Sequence, residues 1–179
     1  MSNVDSAIIG GGCFWCVEGI YRQFKGIVDV QPGYAGGDKE NPTYAEVCTG
    51  STGHAEVAKI DYDTSVFSYK EILEIFFSAH DPTTQNRQGD DIGTQYRSVV
   101  FYMSEEQKRA AFKVIISLTE EKVFWDSIIT EVSKHKKFWP AEDYHKNYYA
   151  SHSDEPYCNM VISPKIAKIR KKFSHFFVE

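Results

Sequence analysis

The sequence predicts an α+β fold, a two-layer sandwich in which helices pack on a mixed, ferredoxin-like sheet with long irregular loops. Segments with strand and helix periodicity are interspersed along the chain but do not alternate strictly, which favours α+β over a regular parallel α/β fold. The 179 residues are the length of about one domain, and 42% of them are hydrophobic, enough to bury a sizeable core. We therefore expect one domain over residues 1–179, with its core at about residues 4–173.

The first third of the chain contains the signals of two strands and one helix. The apolar residues 7–9 run into three glycines, which predicts a buried strand that ends in a tight turn. Apolar side chains then recur at helical spacing from Phe14 to Phe24, and Gly26 is typical of a helix end. A second strand is predicted at residues 27–30, followed by a glycine-rich loop over residues 33–43.

The middle of the chain predicts a strand, a helix and a further strand. Apolar and polar residues alternate over residues 58–63, the pattern of a strand with one face in solvent. Ser68 followed by Glu71 forms a capping box and predicts a helix start. Residues 98–103 predict another strand.

The last third predicts three helices and one strand. Ser104 and Gln107 form a second capping box, which opens a helix to about Leu118. A strand is predicted at residues 128–132 and a short helix at residues 141–150. Ser163 caps a final helix that has Pro164 at its first position and three basic residues near its end, namely Arg170, Lys171 and Lys172.

Residues 80–97 are unusual because they carry no apolar periodicity. A structureless stretch of that length inside a compact domain is usually functional. Residues 138–159 form a second, weaker case.

Charge and composition exclude several classes of protein. Lys and Arg number 20 and Asp and Glu number 25, so the net charge is −5, which disfavours nucleic-acid binding. The N-terminus has no basic region and its apolar run is too short for a signal peptide, and no apolar stretch would cross a membrane. We therefore expect a cytoplasmic protein, and a monomer, because the surface pattern offers no obvious partner stripe.

The cysteines point to thiol chemistry. Four in 179 residues are too few for a disulfide scaffold, and they are unevenly spaced. Cys13 follows Gly11 and Gly12 at the start of a predicted helix, where free N–H groups and the helix dipole favour a reactive thiolate. Cys48 is assigned to packing.

Other interpretations of the Cys13–Cys16 pair compete with a lone nucleophile. A dinucleotide-binding fingerprint would need glycine where Trp15 stands. A zinc site would need two further ligands at suitable spacing, and no second Cys-x-x-Cys exists, so we expect no metal. A thioredoxin-like disulfide exchanger remains a serious alternative. Simple burial of two small apolar thiols explains Cys16 better than Cys13.

Several blocks of the sequence together resemble the A-type peptide methionine sulfoxide reductases. The first is Gly12-Cys13-Phe14-Trp15, similar to the active-site motif of that family. The others follow in the order and spacing of the family and cover most of the chain from about residue 8 to 173: Gly33-Tyr34-Ala35-Gly36-Gly37, Asn41-Pro42-Thr43-Tyr44, Gly53-His54-Ala55-Glu56, His80-Asp81-Pro82-Thr83, Arg87-Gln88-Gly89-Asp90-Asp91 and Gly93-Thr94-Gln95-Tyr96-Arg97-Ser98.

The resemblance implies an oxidoreductase that returns methionine S-sulfoxide, in proteins and as the free amino acid, to methionine. Cys13 would attack the sulfoxide sulfur, and Glu56 would be the acid that protonates the leaving oxygen. A second thiol would then convert the sulfenic acid on Cys13 to a disulfide, which thioredoxin reduces in this family, with no bound cofactor. Repair of oxidised proteins would be the biological role.

The resemblance also implies the substrate-binding residues. Tyr44 and Tyr96 match the hydroxyls that hydrogen-bond the sulfoxide oxygen, and Asp91 matches a residue near the substrate backbone. Phe14 and Trp15 match the pocket for the terminal methyl group. Taken singly, each of the polar residues would be an ordinary surface or turn residue. His54, His80 and Asp81 are interpreted as structural.

Two cysteines are candidates for the resolving thiol. Glycine commonly follows the tryptophan of the motif, but this chain has Cys16 there, one helical turn from Cys13. Cys158 lies in a predicted loop, at a position that resembles a C-terminal resolving cysteine in part of the family. Because a loop swings more easily than a helix, we favour Cys158 and keep Cys16 open.

Two functions of other classes remain as alternatives. A general thiol–disulfide oxidoreductase using Cys13 and Cys16 would not need Glu56. A non-catalytic module that binds methionine-containing segments would keep its binding after Cys13→Ser.

Overall fold

The computed structural model describes residues 3–179. Its strands form one large sheet and one small hairpin. The strands are β1 (Val4–Gly10), β2 (Ile27–Ala35), β3 (Ala55–Asp63), β4 (Arg87–Gln88), β5 (Asp91–Ile92), β6 (Val99–Tyr102), β7 (Glu131–Lys134) and β8 (Phe138–Pro140). The hairpin is β4 paired with β5.

The large sheet has the strand order β7-β6-β1-β3-β2-β8. The four central strands pair antiparallel, whereas β7 pairs with β6 in parallel, so the sheet is mixed. With a helix after β1 and another after β3, the central order matches the ferredoxin-like βαββαβ arrangement. The predicted α+β class is confirmed.

Within residues 3–179, six α-helices accompany the sheet: α1 (Phe14–Tyr21), α2 (Tyr44–Cys48), α3 (Tyr69–Ala79), α4 (Glu105–Glu120), α5 (Tyr148–Ser151) and α6 (Ser163–Lys172). The main core lies between the sheet and helices α1, α3, α4 and α6, and it contains alternate strand residues such as Ile9, Val30 and Ile60. A smaller cluster around Ile8, Val57 and Phe101 covers the opposite face. Helices therefore cover chiefly one face of the sheet, as a two-layer fold requires.

The predicted capping signals are present. Ser68 accepts a hydrogen bond from the Glu71 N–H, and the Glu71 carboxylate accepts one from the Ser68 N–H at 2.8 Å. At α4, Ser104 caps the Gln107 N–H in the same way, but the Gln107 side chain accepts from the Met103 N–H instead. The second box is therefore only half formed.

Several predicted boundaries were wrong. Residues 33–35 belong to β2 rather than to the glycine-rich loop, because they pair with β3 and β8. Residues 141–150 are not one helix: a 3₁₀ turn at Asp143–His145 is separated from α5 by Asn147, whose φ is +58°. The strand predicted at residues 128–132 lies at β7, and the loop at residues 80–97 contains the β4–β5 hairpin.

The start of the last helix also differs from the prediction. A π-helical turn, Cys158–Ile162, leads directly into α6, so Ser163 continues a helix and does not cap one. The three basic residues do lie in the last turn of α6. Among residues 3–179, no helix is long and apolar enough to span a membrane.

Candidate functional site

The site is built around the first turn of α1. Cys13 is the residue before the helix, and its extended backbone, with φ −64° and ψ 133°, turns the chain from β1 into α1. The Cys13 side chain is 7% exposed. Gly12 precedes it with φ +87°, a left-handed conformation that glycine adopts without strain. The nucleophile candidate thus lies at the edge of the core, where one face meets the solvent.

Glu56 lies against this turn from the neighbouring strand. It sits near the start of β3 and is 1% exposed. Its Oε2 accepts a hydrogen bond from the Phe14 N–H at 3.0 Å. Its Oε1 is buried and has no hydrogen-bond partner within residues 3–179. Burial raises the Glu56 pKa to about 8, and the nearby Asp91 charge adds to the shift, so the carboxyl is largely protonated at neutral pH.

The environment of Cys13 contradicts the expected low pKa. Burial raises its pKa well above the ordinary value, and the Glu56 charge acts in the same direction. The hydrogen bond from the Trp15 N–H favours the thiolate, but this one donor does not offset the desolvation. The unliganded site therefore holds a neutral thiol beside a largely neutral carboxyl.

Two tyrosines approach this pair from different segments. Tyr44 is the first residue of α2, and its N–H donates to Glu142 Oε2 at 3.0 Å. Tyr96 ends a short 3₁₀ turn, and its carbonyl accepts from the Gly12 N–H at 3.1 Å. Burial, followed by the nearby Glu56 charge, raises the pKa of both phenols, so both hydroxyls remain donors.

Asp91, on β5, joins the site through a residue that sequence reasoning missed. Asp91 Oδ2 accepts a hydrogen bond from the Tyr157 hydroxyl at 2.7 Å. The same hydroxyl oxygen lies 3.5 Å from Cys16 Sγ. Because the phenolic proton is directed to Asp91, the Cys16 thiol is the donor in the second contact. Tyr157 thus connects the Asp91 loop to α1.

Phe14 and Trp15 are surrounded by aromatic side chains, as a small apolar pocket would require. Phe14 is fully buried, 5.0 Å from the His145 ring and 5.7 Å from the Tyr34 ring. Trp15 is half-buried and stacks face to face with Tyr148, at 3.8 Å and 6° between the ring planes. The Trp15 Nε1–H donates to His145 Nδ1 at 3.0 Å.

His145 and Tyr148, like Tyr157, were not identified from the sequence. All three come from the irregular region at residues 141–158, whose local pattern carries no sign of which element it contacts. The density of aromatic residues in that region was the available signal. It could have indicated an aromatic pocket wall but not its partner, α1.

The remaining cysteines differ from their predictions. Cys158 does not lie in a loop but begins the π-helical turn, and its side chain is fully buried in the core. Cys48 is exposed rather than packed, at the end of α2 close to the Tyr44 hydroxyl. Cys16 is buried one turn from Cys13, and its N–H donates to the Cys13 carbonyl at 3.1 Å. All four cysteines are free thiols.

Two histidines are held in structural hydrogen bonds, in keeping with their interpretation. His54 accepts from the Gly37 N–H at 3.0 Å and donates to the Lys39 carbonyl at 2.7 Å. His80 donates to the Phe76 carbonyl and accepts from Ser98, each at 2.7 Å, and burial lowers its pKa to about 4. Within residues 3–179, no cluster of three His, Cys, Asp or Glu side chains is placed to hold a metal ion.

The chain matches known proteins along nearly its whole length. The family model described as peptide methionine sulfoxide reductase matches residues 5–176. A peptide methionine sulfoxide reductase MsrA of Chromobacterium violaceum is 51% identical over 172 residues, 96% of this chain and 98% of that protein.

Solved structures with the same fold include Mxr1 of Saccharomyces cerevisiae. Its reduced form is 34% identical and has a TM-score of 0.81, with 87% of this chain and 90% of that chain covered. Mxr1 in complex with Trx2 is 26% identical and has a TM-score of 0.58, with 79% and 83% covered.

Proposed function

Because this chain belongs to the peptide methionine sulfoxide reductase family, it is an oxidoreductase that reduces methionine sulfoxide, and we propose how its residues divide that reaction. In this proposal Cys13 is the nucleophile, Glu56 the general acid and Cys16 the resolving thiol. The S epimer of the sulfoxide, in proteins and as the free amino acid, is the proposed substrate.

The buried, unpaired Oε1 of Glu56 is the observation that supports the acid role best. With a pKa of about 8, the carboxyl carries a proton at neutral pH. Its Oε2 already accepts the Phe14 N–H, which leaves Oε1 as the atom that bears the proton. A sulfoxide oxygen beside Cys13 would be the missing hydrogen-bond partner of that proton.

The first step forms a bond between Cys13 Sγ and the substrate sulfur. That bond and the sulfur–oxygen bond of the substrate both break as the oxygen is transferred to Cys13. Cys13 Sγ attacks the sulfoxide sulfur while Glu56 donates a proton to the oxygen. The oxygen passes to Cys13 as a sulfenic acid, methionine leaves, and the Cys13 thiol proton replaces the one that Glu56 gave. The Cys13 sulfur is oxidised by two electrons and the substrate sulfur is reduced by two.

The surrounding residues hold the substrate for this step. Tyr44 and Tyr96 donate hydrogen bonds to the sulfoxide oxygen, which gains negative charge during the attack. Phe14 and Trp15 enclose the terminal methyl group, a small apolar contact. Asp91, held by Tyr157, accepts from the substrate backbone amide.

We propose Cys16 rather than Cys158 as the resolving cysteine. Cys16 occupies the same turn as Cys13, the arrangement found in other Cys-x-x-Cys disulfides at helix starts. Cys158 instead begins a π-helical turn far along the chain, with its side chain packed in the core. The Cys16 thiol attacks the sulfenic sulfur, the disulfide forms, and the oxygen leaves as water.

The disulfide must be reduced before the next turnover. The relative Mxr1 has been crystallised with Trx2, and we propose thioredoxin as the reductant of this chain as well, with no bound cofactor. A thiol cycle of this kind needs a reducing compartment, so we propose that the protein acts in the cytoplasm, as a single catalytic domain and a monomer.

The decisive experiment is dithiothreitol-driven reduction of a methyl sulfoxide substrate. We expect turnover by the wild type and none by Cys13→Ser. Equal rates in the two proteins, or none in either, would overturn the proposal. Strong insulin reduction without sulfoxide reduction would instead favour the general thiol–disulfide oxidoreductase.

A further inference from the structure

The segment that carries Tyr148 contacts α1 at two places. The first is the stack of Tyr148 on Trp15, and the second is a more deeply buried contact with Glu18. Glu18 lies on α1 one turn beyond Trp15 and is 1% exposed. Its Oε1 accepts a hydrogen bond from the Asn147 N–H at 2.7 Å and another from Arg22 Nε at 2.8 Å. Its Oε2 is buried and unpaired within the described chain. The Glu18 carboxylate therefore accepts hydrogen bonds from one backbone N–H and one side chain.

The Asn147 N–H has a particular position in the chain. Asn147 has a φ of +58° and immediately precedes α5, whose first residue is Tyr148. Tyr148 is the ring that stacks on Trp15 at 3.8 Å. The direction in which Tyr148 leaves the backbone therefore depends on how Asn147 is held.

Helix α1 carries both residues that contact this segment, Trp15 and Glu18. Trp15 and Glu18 are three residues apart on α1, so they lie on adjacent positions of one helix face. One contacts the Tyr148 ring and the other the backbone just before it. Resting on the proposed function, we infer that Glu18 is a positioning residue that sets the Tyr148–Trp15 stack and, through it, the width of the methyl pocket.

The neighbouring charged residues Arg22 and Lys146 make other contacts, none of which involves the Asn147 N–H. Arg22 also donates to the Val30 carbonyl at 2.7 Å, and Lys146 pairs with Asp29 at 3.0 Å. The Lys146–Asp29 pair is about two-fifths exposed at each side chain, so it contributes little to stability. Arg22 is a useful control because it contacts the same carboxylate without touching Asn147.

The test uses the full chain with four single substitutions. Glu18→Ala removes the acceptor, Glu18→Asp keeps the charge but shortens its reach, and Glu18→Gln keeps an acceptor oxygen. Arg22→Met removes the ion pair with Glu18 together with the Arg22 contacts to Val30 and Asp29, and it leaves the hydrogen bond from the Asn147 N–H to Glu18 in place. For each variant, kcat and KM are measured on a methionine sulfoxide peptide with dithiothreitol. Trp15 fluorescence is recorded in proteins carrying Trp125→Phe and Trp139→Phe.

We expect Glu18→Ala and Glu18→Asp to raise KM roughly tenfold, the scale of one lost charge-assisted hydrogen bond, with kcat changed less than about twofold. Both should shift the Trp15 emission, whereas Glu18→Gln and Arg22→Met should leave KM and emission near wild type. In a Tyr148→Ala background, Glu18→Asp should add no further rise in KM.

An unchanged KM in folded Glu18→Asp would refute the inference, as would an equal rise in Arg22→Met, which would indicate general destabilisation. If Glu18→Ala does not fold, Glu18→Asp carries the test. If the wild type proves inactive on sulfoxides, the proposed function fails by itself, and the Trp15 emission still reports whether Glu18 positions Tyr148.

Discussion

Glu56 Oε2 and the Phe14 N–H are joined by a 3.0 Å hydrogen bond, which ties the proposed acid to the residue immediately after the proposed nucleophile. The bond occupies one carboxyl oxygen and leaves the other buried, without a hydrogen-bond partner in the part of the chain that the structure describes. It also uses one of the free N–H groups of the helix start, so that group is not available to the Cys13 thiolate. The same contact therefore orients the Glu56 carboxyl and withholds one N–H donor of the helix start from Cys13.

Replacement of Glu56 by Gln should slow the sulfoxide step about 100-fold or more, since a positioned general acid contributes on that scale. In the wild type, the rate should fall as the pH rises through about 8, because the raised pKa keeps the acid protonated only below that value. The measurement is single-turnover methionine release across a pH series. The decrease of the rate with rising pH should be missing in Glu56→Gln. The same decrease in both proteins would assign the proton to another group.

The resolving cysteine can be identified by mapping the disulfide after one equivalent of methionine sulfoxide. We expect a Cys13–Cys16 bond by peptide mass spectrometry, formed at full yield in Cys158→Ser. Cys16→Ser should accumulate sulfenic acid on Cys13. A Cys13–Cys158 bond in the wild type would assign the resolving role to Cys158 instead, and a lasting sulfenic acid in the wild type would exclude both partners.

Tyr157→Phe should weaken substrate binding through Asp91. The variant removes the 2.7 Å hydrogen bond to Asp91 and keeps the ring against Trp15. We expect KM for a sulfoxide peptide to rise about threefold to tenfold, the range of one ordinary hydrogen bond. The variant also removes the 3.5 Å contact of the Tyr157 hydroxyl with Cys16 Sγ, so disulfide formation is measured separately from KM. If KM stays at the wild-type value, Asp91 is held sufficiently by its own loop.

Ser68→Ala should cost about 1 kcal/mol of stability without altering activity, because it removes the N-cap of α3. Urea unfolding of the reduced protein measures the change, and steady-state kinetics at a temperature well below unfolding provide the control. A loss of kcat in the folded variant would mean that α3 influences the site, which no contact of Ser68 suggests.

Local sequence patterns determined the elements whose stability comes from near neighbours. The Ser68–Glu71 capping box, the buried β1 and the alternating β3 were all predictable because their signals lie within a few residues. The candidate nucleophile, acid and tyrosines were identified through motifs that resemble a family, and the fold brings them to one place. Residue patterns by themselves gave no reason to select Glu56 over any other strand glutamate.

Only the tertiary structure decided the features that depend on distant contacts. Residues 33–35 became strand because β3 and β8 pair with them, and residues 143–158 supply aromatic side chains, such as His145 and Tyr148, that pack on α1. The pKa values depend on burial, which a linear sequence does not specify. Desolvation raises the pKa of Glu56 to about 8. It also raises the pKa of Cys13, which is opposite to the effect of a helix start on a thiol. The sequence thus determined which chemical groups are present, and packing determined their protonation and their partners.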